Sequence, residues 1–197
     1  MEKGNIKIVT SDFTLRSWED GDAEKLAVIA NNKKIADNLR DGFPNPYSIE
    51  DARRFIHLCR QNEDTSRAFA IVIDGTVAGS IGAYFKENVH RKNAELGYYL
   101  AEEYWGKGLM PKVVRCMTQY LFENFNIIRV YAQPFGKNTA SRKVLEKSGF
   151  RLEAVLKSNI IKNNIVQDGC IYAILKDEFK NAIENDLTCE PENMQMS

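Results

Sequence analysis

Apolar and polar positions along this chain change period several times, and each change marks a new element. Phe13-Thr14-Leu15-Arg16-Ser17-Trp18 alternates and predicts a first strand. Ala23, Leu26, Ala27 and Ala30 then fall at helical spacing, with Asp20 or Asp22 positioned to cap the helix. Phe43-Pro44-Asn45-Pro46-Tyr47 is a stiff, partly aromatic loop. Ser48-Ile49-Glu50-Asp51 follows as an N-cap with acids in the first turn, where the helix dipole favours them. It opens a helix with Ala52, Phe55, Ile56 and Cys59 inward and His57 facing solvent. Ala68 to Ile73 and Val77 to Phe85 flank Asp74-Gly75, a strong hairpin signal. Ala94 to Leu100 predicts the next strand, and Val113, Val114, Met117, Leu121 and Phe125 predict a long helix. Ile127 to Gln133 is a further strand and Thr139 to Lys147 a helix with Gly149 as its C-cap. Phe150 to Lys157 and Ile165 to Leu175 are the closing strands. The order β-α-α-β-β-β-α-β-α-β-β predicts an α/β domain over residues 1–180, with helices on both faces of a mixed, mostly antiparallel sheet. Residues 181–197 are polar and are expected to form a frayed, flexible tail.

Composition narrows the partners. With 197 residues, 44% hydrophobic and 27% charged, the chain suits one globular domain. Lys+Arg 27 against Asp+Glu 27 gives zero formal charge, so no global pull toward nucleic acid or a membrane surface is expected. No apolar run approaches the roughly 20 residues of a membrane span. Met1-Glu2-Lys3-Gly4-Asn5 leads into no signal-peptide core, and the cytoplasm is the expected compartment. Cys59, Cys116, Cys170 and Cys189 form no Cys-x-x-Cys pair, and His57 and His90 lie far from any such pair, so no metal site is expected. Cys116 and Cys170 sit in apolar patterns as packed thiols, which agrees with a reducing compartment.

Trp105-Gly106-Lys107-Gly108-Leu109-Met110 stands where the strand Ala94 to Leu100 hands over to the long helix. A helix start leaves about four backbone N–H groups unpaired, its dipole favours negative charge, and glycine lets a phosphate approach the backbone. The arrangement suits a pyrophosphate cradle. Gly-x-Gly alone is a weak signal, and the stretch matches neither the dinucleotide pattern nor the Lys-Ser/Thr nucleotide loop.

A second segment supplies specificity. Asn138-Thr139-Ala140-Ser141 opens a helix that ends in Leu145-Glu146-Lys147-Ser148-Gly149-Phe150, one strand after the Trp-Gly-Lys-Gly turn. Together with Leu15-Arg16-Ser17-Trp18 and Phe43-Pro44-Asn45-Pro46-Tyr47-Ser48, these motifs resemble the GNAT superfamily of acetyl-CoA-dependent N-acetyltransferases. The likeness is strongest to its ribosomal-protein N-terminal (alanine) acetyltransferase branch and runs from about Phe13 to Leu175. The resemblance implies a sheet splayed after its fourth predicted strand, with acetyl-CoA in the gap. Tyr98, Tyr99, Leu100 and Ala101 would pair with the pantetheine, residues Trp105 to Met110 would hold the pyrophosphate, and Asn138 and Ser141 would meet the cofactor. Asn138 equally suits a plain N-cap. The family carries Gln or Arg where this chain has Trp105, and a small residue where it has Met110. Pro111 removes one N–H from the helix start.

Acetyl transfer to an amine needs a neutral amine, a polarised thioester carbonyl and a proton for the thiolate. Glu95 is the candidate base, because a glutamate within an apolar strand invites a raised pKa. The competing role is an ion pair holding the strand, for example with Arg91 or Arg16. Alternation puts Glu95, Gly97 and Tyr99 on one face and Leu96, Tyr98 and Leu100 on the other. Ser141 and Tyr98 compete as the acid, Ser141 by its match to a family position. The acceptor is expected past residues 41–47 and 85–93, with Phe43 and Tyr47 as walls and His90 a surface-loop residue. No dense acidic run stands there, which argues against a polycationic acceptor and leaves a protein N-terminus or a small primary amine. A small-molecule amine acetyltransferase and a non-catalytic acyl-CoA sensor are the alternatives, and a homodimer is left open.

Overall fold

A computed structural model of the chain describes residues 6–62, 64–184 and 194–196. The chain enters with antiparallel strands β1 (Ile6–Val9) and β2 (Thr14–Arg16). The sequence reading missed β1, whose four residues bury one side chain and show no period. Helices α1 (Ala23–Ala30), the single-turn α2 (Lys33–Ala36) and α3 (Ile49–Gln61) follow. Ser48 caps α3 as its sequence predicts: its Oγ accepts the Asp51 N–H at 3.1 Å while Asp51 accepts the Ser48 N–H at 2.9 Å. The hairpin of β3 (Ser66–Ile73) and β4 (Thr76–Phe85) turns through Asp74 and Gly75, both at positive φ.

Beyond the hairpin come β5 (Asn93–Leu100), α4 (Leu109–Asn124), β6 (Arg129–Ala132) and α5 (Thr139–Lys147). The hairpin β7 (Arg151–Lys162) and β8 (Ile165–Leu175) precedes α6 (Lys176–Glu184) and β9 (Met194–Met196). The strands form one sheet in the order β7-β8-β6-β5-β4-β3-β2-β1-β9, antiparallel throughout except β5 with β6. Helix α6 carries backbone order past 180, where the sequence reading began a tail; 185–193, with Cys189, lie outside the described residues. Among the described residues no helix is long and apolar enough to cross a membrane.

Two cores flank the sheet, as the predicted layering requires. Val113, Val114, Met117 and Leu121 of α4 pack on Leu15, Phe69, Ile71, Ile81 and Leu96. On the other face Leu26 and Ile29 of α1 and Ala52 and Ile56 of α3 pack with Trp18, Tyr47 and Ala70. Asp22 stands at the cap of α1, yet its carboxylate makes no cap bond. It is taken instead by the Arg16 guanidinium through two hydrogen bonds of 2.7 Å, with the Glu19 N–H at 2.9 Å. Two charge-assisted bonds to one guanidinium outweigh a single carboxylate-to-amide cap bond, which explains the difference. Asp20 pairs with Arg60 at 2.9 Å.

The sheet divides at one point. Strands β5 and β6 run parallel from Asn93↔Arg129 only to Glu95↔Tyr131. Beyond Ala132 the chain stays with β8: the Cys170 N–H reaches the Pro134 carbonyl at 3.0 Å and the Gly136 N–H reaches Asp168 at 2.8 Å. Pro134 itself has no N–H to offer β5. The second half of β5 is therefore left with β4 as its only strand neighbour among the described residues.

The Arg16–Asp22 pair ties β2 to the start of α1, with side-chain exposures of 18% and 8%. Asp22→Ala strands a half-buried guanidinium and is expected to cost about 2–4 kcal/mol, read as a lower urea midpoint with unchanged slope.

Candidate active site

Strand β5 presents different groups to its two edges. The Ala101 N–H donates to the Ala78 carbonyl at 2.7 Å, and the Tyr99 carbonyl likewise faces β4 beside Gly79. Backbone groups alternate along a strand. Tyr98 and Leu100 thus present their N–H and C=O to the opening between β5 and β6, whereas Ala101, named with them from the sequence, commits its N–H elsewhere. The Leu100 carbonyl is also engaged, by the Trp105 indole N–H at 2.7 Å. Trp105 therefore pins the following turn to the end of β5, a role that the sequence pattern did not reveal.

That turn is open. Gly106 and Gly108 have φ of 73° and 75°, in the left-handed region where glycine has no Cβ penalty. A Cβ added at either would meet nothing within 4 Å. Gly108 is the N-cap of the 16-residue α4, so Leu109 and Met110 open the helix with N–H groups that have no intrahelical acceptor. Pro111, third in the helix, has none to give. Met110 is buried in the core beneath the turn, which keeps its bulk away from the open side. The Lys107 ammonium lies 5.4 Å over the Tyr104 ring at the rim. An open glycine turn, oriented amides and a long helix dipole together fit a diphosphate.

Two of the sequence candidates meet across the opening. The Tyr98 hydroxyl stands 2.9 Å from Ser141 Oγ, and it also reaches the Ser141 carbonyl at 3.3 Å. Asn138 caps α5, its Oδ1 accepting the Ser141 N–H at 3.0 Å. The plain N-cap role is thus present, and it fixes the backbone on which Ser141 sits. Burial pushes the Tyr98 phenol well above its ordinary value, against a smaller pull from its hydrogen bond to Ser141, so it stays protonated and able to donate.

Glu95 occupies the other face of β5. It is buried and ion-paired on both oxygens: Oε1 with Arg40, Oε2 with Lys86 at 2.6 Å, with the Tyr131 hydroxyl at 3.4 Å. The ion pair anticipated for Glu95 exists with different partners. Arg16 is committed to Asp22, and Arg91 donates to the Asn88 carbonyl at 3.0 Å. Burial lowers the Lys86 ammonium, but hydrogen bonds to Glu95 and Tyr131 outweigh it and its pKa ends raised. Arg40 was missed because it lies between helices, in a segment with no hydrophobic period. Beside Glu95 on the same face, Gly97 is open: a Cβ there would meet only a Tyr84 ring carbon at 4.0 Å. Phe43 closes this face, 5.5 Å from the Tyr99 ring and 5.0 Å from Tyr47. His90 is exposed outside it.

A cavity of about 400 Å³ adjoins Arg40. Asp41, Gln133, Phe135, Ile160, Lys162 and Cys170 are among its other walls. The tip of the β7–β8 hairpin is tied over it to the α2–α3 segment: Lys162, itself buried, donates to Asp41 at 2.9 Å and Asn163 to Asp37 at 2.8 Å.

The sequence from residue 12 to 151 matches the family profile of the acetyltransferase (GNAT) domain. YdaF of Bacillus subtilis (strain 168), whose name assigns it provisionally as a ribosomal N-acetyltransferase, is 32% identical over 177 residues, covering 87% of this chain and 96% of that protein. Among solved structures, RimL, a ribosomal α-N-protein acetyltransferase in complex with coenzyme A, superposes with a TM-score of 0.76 at 22% identity, covering 88% of this chain and 99% of that one. A spermidine N-acetyltransferase from Vibrio cholerae, in complex with CoA and spermine, superposes with a TM-score of 0.75 at 24% identity, covering 87% and 100%. The two structures show a shared fold.

The open turn makes a specific demand. Gly108→Ala places a Cβ where a diphosphate would lie and costs about 1–2 kcal/mol of backbone strain. Titration calorimetry with acetyl-CoA is expected to show at least a tenfold weaker Kd, while the far-ultraviolet circular dichroism spectrum is retained.

Proposed function

Because the chain belongs to the acetyltransferase (GNAT) family, and so is an N-acetyltransferase with acetyl-CoA as co-substrate, we propose that its acceptor is an α-amine, the N-terminal amine of a peptide chain. The observation that carries this reading is the Glu95 carboxylate, held by Arg40 and Lys86 at once. With both oxygens already paired to cations, the site offers no free negative charge to a protonated alkylammonium and suits an acceptor that is partly neutral at neutral pH. At pH 7 about a tenth of α-amines are neutral, against only about one alkylamine in a few thousand. A lysine side chain or a polyamine would arrive charged and meet those two cations. The likeness to YdaF supports the same reading.

The donor is held by backbone. Main-chain N–H groups between Gly106 and Met110 take the diphosphate, and the free edge at Tyr98 and Leu100 takes the pantetheine. When bound there, acetyl-CoA supplies an acetyl thioester. A backbone N–H of that edge polarises the thioester carbonyl. Ser141 Oγ, standing at the first turn of α5 and hydrogen-bonded to the Tyr98 hydroxyl, holds the proton destined for the sulfur. Tyr98 orients Ser141 and can pass its own phenolic proton along the 2.9 Å bond. Across the strand, Glu95 accepts a hydrogen bond from the incoming amine, directly or through a water, and receives the proton it sheds. The two proton tasks are thereby separated on opposite faces of β5, which prevents them from cancelling each other.

With acetyl-CoA and a peptide bearing a free N-terminus, Ser141→Ala is expected to lower kcat about 100-fold and Tyr98→Phe about tenfold, with little change in KM for acetyl-CoA. Release of free thiol, followed with a chromogenic disulfide reagent, measures both. Faster turnover of spermidine than of any such peptide would overturn the α-amine assignment.

A further inference from the structure

The charges around Glu95 do not balance. Lys162 and Asp41 pair with each other at 2.9 Å. Arg40 and Lys86 share the single carboxylate of Glu95. Among the described residues one positive charge is left over, and Arg40 carries it toward the cavity: its side chain is 70% exposed and lines the cavity wall. Among the described residues only Nη2 of its guanidinium is engaged, with Glu95 and, at 3.4 Å, with Gln133 Oε1. A guanidinium offers five donors in a planar fork matched to a carboxylate.

We propose that Arg40 is a specificity residue that selects an acceptor carrying a carboxylate close to its reacting α-amine. The proposal rests on the α-amine reading above and narrows it. Arg40 touches Glu95, so an amine at Glu95 and a carboxylate on the fork of Arg40 belong to groups only a few bonds apart. An aspartate or glutamate at the first or second residue of a peptide meets that requirement, and so does the α-carboxylate of a free amino acid. A second cationic group in the acceptor, as in a polyamine, would meet the surplus positive charge and be disfavoured. The apolar walls at Phe135 and Ile160 accept the uncharged remainder of the acceptor.

The test is steady-state kinetics at saturating acetyl-CoA with three peptides differing only at the second residue, Glu, Gln or Lys, beside free glutamate and spermidine. Wild-type protein is expected to show a KM for the Glu peptide at least tenfold below that for the Gln peptide, with the Lys peptide worse still. In Arg40→Met the KM for the Glu peptide is expected to rise to that for the Gln peptide, and Arg40→Lys, which keeps charge but loses the fork, should fall between. The wild-type preference should shrink on raising salt, since a partly exposed pair is screened. Free glutamate used better than the Glu peptide would support the carboxylate requirement and identify its source as an amino acid. Equal KM values for the three peptides, or a preference that survives Arg40→Met, would overturn the proposal while leaving the α-amine reading intact. Turnover of spermidine alone would overturn both.

Discussion

The parting of β5 from β6 after Glu95 is the constraint on which the rest of the molecule depends. A strand in the middle of a sheet ordinarily has both edges satisfied. Here the chain after Ala132 follows β8, through Pro134 and Gly136, and leaves one edge of β5 to other partners. The Tyr98–Ser141 contact and the Trp105 indole on Leu100 both fall at that edge. They occupy part of it with side chains and leave backbone groups of Tyr98 and Leu100 toward the gap. The pantetheine site proposed above needs such an unsatisfied edge, and the topology supplies it without any irregularity in β5 itself.

Strand β5 also serves as a partition. Leu96, Tyr98 and Leu100 belong to the side packed under α4, where the glycine turn and α5 lie, whereas Glu95, Gly97 and Tyr99 belong to the side covered by Phe43 and Arg40. Two reactants approaching from opposite faces of one extended segment are separated by little more than the thickness of a backbone. The open position at Gly97 leaves room beside that backbone on the Glu95 face. Electrostatics differ on the two sides as well: oriented amides and a helix dipole on one, a cluster of full charges on the other.

Much of this was legible beforehand because it is written in local pattern. The hairpin at Asp74-Gly75, the cap at Ser48, the span of α5 and the turn at Gly106 and Gly108 depend on residues close in sequence, and each is found where its pattern put it. The order of helices and strands followed from those pieces. What stayed hidden depends on side-chain geometry that no local period encodes. Nothing near Arg40 announces that it will reach Glu95, and nothing near Asp22 announces that Arg16 will take its carboxylate from the cap. Strand β7 was cut short at Lys157 because most of its positions are exposed and the register slips between Leu156 and Ile160, which erases alternation. Trp105 was visible as a residue, but its hold on the Leu100 carbonyl depends on geometry no spacing encodes, whereas the cap at Asn138 was one of its two anticipated roles.

The tie between Lys162 and Asp41, with Asn163 on Asp37, joins parts of the chain more than a hundred residues apart. The hydrogen bonds of this tie engage neither the glycine turn nor the backbone of Tyr98 and Leu100. Substitutions or length changes in the hairpin tip and in the α2–α3 segment can therefore reshape one compartment while the machinery of the other stays as it is. Such a division lets a lineage exchange what it modifies while inheriting, unaltered, its grip on the donor.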